Sequence, residues 1–158
     1  MIIVSDTGPL RYLVVLGVVD ILPRLFGRVI CPQAVFNECS ATGAPNPLRT
    51  FASQCPDWLI IKEVDKIDHR TLFLDRGESE AITLALHIKA DVPLIDERKG
   101  RQNATDLGLA ITGTLAVLAA AGHRSWLDYQ EITNRLTTIT SFRATRELIQ
   151  EAWENASS

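Results

Sequence analysis

The chain is expected to fold as α/β, with a mostly parallel central sheet covered by helices on both faces. Three observations carry this. Short β-rich apolar runs recur along the chain. Segments with apolar residues at helical spacing separate them. The breaks between the two fall at Gly, Pro and Asp. With 158 residues, 46% hydrophobic and 22% charged, the chain has material for one ordinary core, since domains most often run ~100–150 residues.

The elements follow in order. Ile2, Ile3 and Val4 form a candidate buried strand, and Asp6-Thr7-Gly8-Pro9 ends it. Residues 10–16 and 18–26 read as short helices. Residues 28–31 give a second strand. Pro32 suits a first helical turn, so 33–40 is expected to be helical. Residues 41–46, Ala-Thr-Gly-Ala-Pro-Asn, read as a loop and not as a domain boundary. Residues 58–64 supply a third strand. Asp75-Arg76-Gly77-Glu78 is turn chemistry leading into a helix over 79–89, where Ala81, Ile82, Leu84, Ala85, Leu86 and Ile88 give a wide apolar face. A fourth strand covers 91–96, then a helix 99–107 with Gly108 as its C-cap. Residues 109–111 read as a further strand. Thr112-Gly113-Thr114 opens a helix to 121, with Thr112 as N-cap. Helices over 126–136 and 142–154 complete a single domain, 1–158. Crossovers between parallel strands are right-handed, and ligands of such sheets bind outside the strands' carboxyl ends.

Composition narrows the function classes. Sixteen basic and 19 acidic side chains give a formal charge of −3, which excludes a strongly basic, histone-like binder. Cys31, Cys39 and Cys55 are an odd number with no CxxC pair, so neither a disulfide scaffold nor a structural zinc site is expected. The start of the chain has no basic segment before its apolar run, and Asp6 interrupts that run, so no signal peptide is expected. The longest apolar stretch, 110–122, is shorter than the ~20 residues that span a bilayer. These features point to a soluble cytoplasmic protein.

The strand-end rule directs attention to acids. Asp6 follows the first strand directly, and Asp96 and Glu97 follow the fourth, which puts them on one rim. Glu78 stands at the start of the helix before the fourth strand, and Glu38 lies on the helix after the second. Singly, each acid has an ordinary reading: Asp6 as a helix cap, Glu38 as a solvated helix residue, Glu78 and Glu80 as complements to a helix dipole. Together, clustered carboxylates repel unless a divalent cation neutralises them. Oxygen ligands favour Mg²⁺ or Mn²⁺ over zinc.

The motifs run in a recognisable series: Asp6-Thr7-Gly8-Pro9-Leu10, Pro32-x-x-Val35-x-x-Glu38, Gly77-Glu78-x-Glu80-Ala81-Ile82, Leu94-Ile95-Asp96-Glu97 with Gly100-Arg101, and Gly108-x-x-x-Thr112-Gly113-Thr114. In this order they resemble the PIN-domain nuclease superfamily, in a prokaryotic, poorly characterised subfamily similar to the toxins of VapBC-type toxin–antitoxin pairs. The resemblance covers about residues 2–122 and leaves 124–158 as a C-terminal helical extension. It implies a three-layer α/β/α sandwich and a Mg²⁺- or Mn²⁺-dependent ribonuclease. Asp6, Glu38, Glu78 and Asp96 are implied as catalytic and metal-binding, with Glu97 as a further ligand candidate. Glu80 competes with Glu78, and Glu97 with Asp96. Thr7, Arg101 and Thr112 are secondary candidates. An antitoxin partner and a homodimer are also implied, and no membrane. The alternative is a catalytically inactive PIN-like scaffold that binds RNA or a partner protein.

Other residues have plainer readings. Arg98, Lys99 and Arg101 form a basic cluster beside Asp96: a surface charge run or a partner of Glu97, with Arg101 the best candidate for an RNA phosphate. His69, His87 and His123 are scattered. Tyr129, Phe142, Trp126 and Trp153 read as core or interface. Gly8 stands where a nucleophilic-aspartate phosphatase needs its second aspartate, and no P-loop is present.

Overall fold

The computed structural model describes residues 1–156. In chain order the elements are β1 (Ile3–Ser5), α1 (Thr7–Val15), α2 (Ile21–Phe26), β2 (Val29–Pro32), α3 (Gln33–Ser40), α4 (Asn46–Gln54), β3 (Leu59–Lys62), a 3-10 turn (His69–Thr71), α5 (Arg76–His87), β4 (Val92–Leu94), α6 (Arg98–Asp106), α7 (Thr114–His123), α8 (Tyr129–Ile139) and α9 (Arg146–Asn155). The strands form one sheet in the order β3-β2-β1-β4. All pairings are parallel, with Ile3 opposite both Val29 and Val92, and Val29 opposite Leu59. The chain lays strands outward from β1 to β3, then returns to place β4 on the free side of β1. The strand order therefore reverses between β1 and β4. A crevice opens there at the carboxyl ends, the usual ligand site of such sheets.

Alternation along β1 shows why both faces are covered. Ile3 enters the larger core with Leu10 and Leu13 of α1, Val35 of α3, Leu118 of α7 and Leu136 of α8. Val4 enters a separate cluster with Ala81, Leu84 and Ala85 of α5. Ile82, Ile95 and Ala104 join α5, the end of β4 and α6. The result is the α/β/α sandwich. Truncating a fully buried leucine such as Leu13 or Leu118 to alanine costs about 2–5 kcal/mol. Leu10, Leu13 and Ile21 belong to this core, so these apolar residues pack inward.

Several sequence expectations need correction. The sequence predicts a loop over 41–46 and no helix after it, whereas α4 forms there; Pro47 in its first turn and buried Leu48 and Ala52 explain the helix. The strand expected over 109–111 is reduced to a single bridge, Leu94 to Thr112. Ile95 N–H donates to the Thr112 carbonyl and Thr112 N–H to the Pro93 carbonyl, and the ladder stops there. α5 begins at Arg76, not 79, because the Asp75 side chain caps it by accepting from the Glu78 N–H at 2.8 Å. The N-cap of α7 is Gly113, not Thr112. α8 and α9 begin later than expected, at residues capped by the side chains of Asp128 and Thr145. Trp126 stays outside α8 with the Arg24 guanidinium 3.8 Å from its ring centre. Among the described residues, no helix is long and apolar enough to cross a membrane.

Candidate active site

The switch point between β1 and β4 holds the first two acids. Asp6 leaves β1 in extended geometry and opens α1, yet its side chain makes no capping bond. Its N–H donates to the Leu94 carbonyl at 3.0 Å, which locks it against β4. The side chain is 5% exposed. Burial raises its pKa to about 7; the Thr7 N–H opposes this, while Asp75, Glu38 and Asp96 add repulsion. Asp96, two residues beyond β4, accepts from the Thr114 N–H at 2.8 Å and the Thr114 hydroxyl at 2.6 Å. Burial raises its pKa; the two Thr114 bonds and Arg101 pull the other way.

Glu38 and Glu78 approach from α3 and α5. α3 carries Glu38, whose carboxylate accepts from the Thr7 hydroxyl. That bond joins the α3 acid to the residue after Asp6. α5 carries Glu78 in its first turn, 7% exposed, with Oε2 buried and without a hydrogen-bond partner. Burial raises the Glu78 pKa to about 8, reinforced by the Asp75 carboxyl against it and by the charges of Asp75, Asp6 and Glu97.

The motif glycines make room for these acids. A Cβ at Gly77 would stand 2.7 Å from Glu38 Oε1, at Gly100 2.9 Å from Glu78 Oε2, and at Gly113 2.8 Å from Asp96 Oδ1. Each lies far inside ordinary contact distance, so the carboxylates occupy space that only hydrogen leaves free.

The remaining candidates divide. Glu97 is exposed at the start of α6 and makes no cap, but its charge reaches both Glu78 and Asp96. Glu80 is 4% exposed and turned to α3, where it accepts from the Ala34 N–H at 3.1 Å and from Arg76 Nε at 2.7 Å. Arg101 neither pairs with Glu97 nor lies open: its Nη1 donates to the carbonyls of Ile95 at 2.8 Å and Thr112 at 3.3 Å, holding the end of β4 in place. Thr112 takes part through its backbone; the hydroxyl that meets Asp96 belongs to Thr114. Arg98 and Lys99 are exposed.

Two contributors escaped the sequence reading. Thr114 lies in the same motif as Thr112, and its hydroxyl is the one that reaches Asp96. Asp75 was read as turn chemistry alone. Its spacing to Glu78, an acid followed three residues later by glutamate, is a capping-box signal that marks it as a helix cap facing the same acids.

The donor set fits a hard divalent cation: carboxylate oxygens, an orphaned buried Glu78 Oε2, and three acids, Asp6, Glu78 and Asp96, whose pKa values burial raises. Among the described residues, however, no three His, Cys, Asp or Glu side chains are posed closely enough to hold a metal ion. Glu38, held by Thr7, and Asp96, held by Thr114, are tied to the protein instead.

This crevice, ringed by acids on a parallel sheet, defines an α/β protein of the PIN type. The family model described as "DUF3368: PIN domain" matches residues 2–158, and the chain belongs to that family, whose members are generally nucleases. The match continues through α8 and α9. No curated protein matches the chain in sequence. Among solved structures, it is similar to a PilT N-terminus domain protein from the hyperthermophilic archaeon Sulfolobus solfataricus P2, at 17% identity and a TM-score of 0.53, over 77% of this chain and 93% of that one. At that identity the likeness concerns the fold.

Proposed function

We propose that the chain is an endoribonuclease dependent on Mg²⁺ or Mn²⁺, with Asp6, Glu38, Glu78 and Asp96 as its working acids and Glu97 as an outer contributor. What supports this best is the placement of Asp6 and Glu78, both buried, at the β1/β4 switch point, where burial and neighbouring acids push their pKa values up to about 7 and 8. A bound divalent cation supplies charge neutralisation, a water of lowered pKa and a stabilising partner for phosphoryl oxygens. The protein's part is positioning. Thr114 and Arg101 fix the end of β4, Thr7 orients Glu38, and the motif glycines let the carboxylates of Glu38, Glu78 and Asp96 come close to the backbone. Asp6, Glu78 and Asp96 are the acids whose raised proton affinity leaves them ready to take a cation in place of a proton. Because no three potential ligands converge as posed among the described residues, cation binding would have to draw the acids together. A toxin role, with an antitoxin partner and a homodimer, is the finer reading that the family resemblance adds.

One observation favours a second reading. Because no three potential ligands converge as posed, a catalytically silent PIN scaffold that binds RNA or a protein is the rival. Incubating the protein with mixed structured and single-stranded RNA in Mn²⁺, Mg²⁺ or EDTA separates the two. The nuclease reading expects cleavage that needs the cation and is lost in Asp6→Asn. Cleavage that persists in EDTA or in Asp6→Asn would falsify the assignment.

A further inference from the structure

A groove of about 760 Å³ starts at the candidate active site and runs to α9. That volume lies in the ~300–1,000 Å³ range of ligand pockets. Asp96, Arg101, Thr112 and Gly113 line it together with Phe142, Arg143 and Leu148. We propose that this groove seats a single-stranded stretch of the RNA beside the scissile phosphate, with Arg143 binding a backbone phosphate and Leu148 lying against a base. The inference rests on the nuclease reading for its substrate and goes beyond it in naming the path.

Three observations converge. The first is continuity: the groove contains Asp96, so a strand with a phosphate at the switch point has this channel leading from it. The second is charge. The chain carries a formal −3, yet the groove's charged lining is Arg101, Arg124 and Arg143 against Asp96 and Glu151. The local balance is reversed in favour of a polyanion. Two of these arginines are already engaged: Arg101 by the Ile95 and Thr112 carbonyls, and Arg124 by the Ala120 carbonyl at 3.0 Å. Arg143 is exposed and has no hydrogen-bond or ion-pair partner among the described residues. It is the guanidinium available to a ligand. The third is apolar surface. Met1, 75% exposed, and Leu148, 51% exposed, are among the few large apolar side chains left open, and both line this groove. A single strand offers apolar base faces and phosphates together, whereas a duplex hides its bases. A partner helix docking through an apolar face alone has no use for the arginine balance.

The test measures binding and cleavage separately. Binding of a short, fluorescein-labelled, mixed-sequence single-stranded RNA is followed by anisotropy in EDTA across a salt series, for wild type, Arg143→Gln and Leu148→Ala. Both residues are exposed, and thermal melts check that the variants fold. Arg143→Gln is expected to weaken binding and to lower the salt slope by about 0.7, the value of one lost phosphate contact on a single strand. Leu148→Ala is expected to weaken binding severalfold with the slope unchanged. Wild-type affinity and slope in Arg143→Gln overturn the proposal, as does a wild type that does not bind the RNA; the groove then serves another ligand, such as a polypeptide. Parallel incubation with Mn²⁺ keeps the two readings distinct. Binding that depends on Arg143 without any cleavage supports the groove and removes the nuclease. Cleavage by wild type with binding indifferent to Arg143 does the reverse.

Discussion

Glu78 and Glu80 stand two residues apart on α5, 7% and 4% exposed, and their surroundings differ in kind. Glu80 faces α3, where a backbone N–H meets one oxygen and the Arg76 guanidinium the other. Glu78 faces the sheet's carboxyl rim, where Asp75, Asp6 and Glu97 oppose its charge and Oε2 has no partner. Burial of a carboxylate is therefore not what singles out the rim. A buried, satisfied acid is a structural clamp that joins two helices. A buried acid without compensation raises the free energy of the folded state, and such groups concentrate at functional sites.

The largest expected contrast is in activity. Glu78→Gln lowers Mn²⁺-dependent cleavage by about 10²-fold or more, the scale on which loss of one stabilising active-site group is felt. Glu80→Gln leaves cleavage per folded molecule near wild type. Equal losses in initial-rate assays would erase the distinction drawn above.

The next effect is on stability against pH. In metal-free protein, Asp6 and Glu78 hold their protons to about pH 7 and 8, against ordinary values of 3.8 and 4.5. Between about pH 4 and 8 the unfolded chain releases protons that the folded chain keeps. Stability therefore falls as pH rises through this window and levels off above it. For Asp6 alone the fall is on the order of 4 kcal/mol, at ~1.36 kcal/mol per tenfold change in proton affinity. Urea unfolding in EDTA at the two ends of the window measures it, and Asp6→Asn should remove its own share of the slope while leaving that of Glu78.

Glu80→Ala comes third. It strands the Ala34 N–H and releases Arg76, which costs about 1–3 kcal/mol. Glu78→Ala strands no donor and should leave metal-free stability at alkaline pH level or higher. Denaturant midpoints compare the two. Gly77→Ala has a smaller effect on stability. Its Cβ would meet only the far end of Glu38, which can swing away at the loss of its bond from Thr7, so the change should appear in activity before stability. The smallest effect is at Arg98, exposed at the start of α6, where Arg98→Ala should move the thermal midpoint by no more than about ±0.5 kcal/mol implies.

Much of this was legible in the sequence. β1, β2 and β4 are short apolar runs ended by Asp6, Pro32 and Asp96, and period-two alternation needs no long-range information. The rim position of Asp6 and Asp96 followed from the parallel topology. What could not be read was side-chain direction. Glu78 and Glu80 fit the same motif position, and only the packing of α3 against α5 turns Glu80 away. Thr112 and Thr114 are both plausible caps, and only the Leu94–Thr112 bridge fixes which hydroxyl reaches Asp96. α4 was missed because Pro and Gly before it read as loop, although Pro47 is compatible with a first helical turn. The strand over 109–111 was overread because an apolar triplet has no intrinsic length signal.

The most direct measurement is thermal unfolding of wild type, Glu78→Gln and Glu80→Gln with and without Mn²⁺ at alkaline pH, where the rim acids are ionised. At a hundredfold excess over Kd, a cation bound only to the folded chain adds about 2.7 kcal/mol, or roughly 5–10 °C for a domain of this size. The rise is expected in wild type and Glu80→Gln and is expected to be lost in Glu78→Gln. No rise in wild type, or an equal rise in all three, would contradict the assignment of the rim as the cation site.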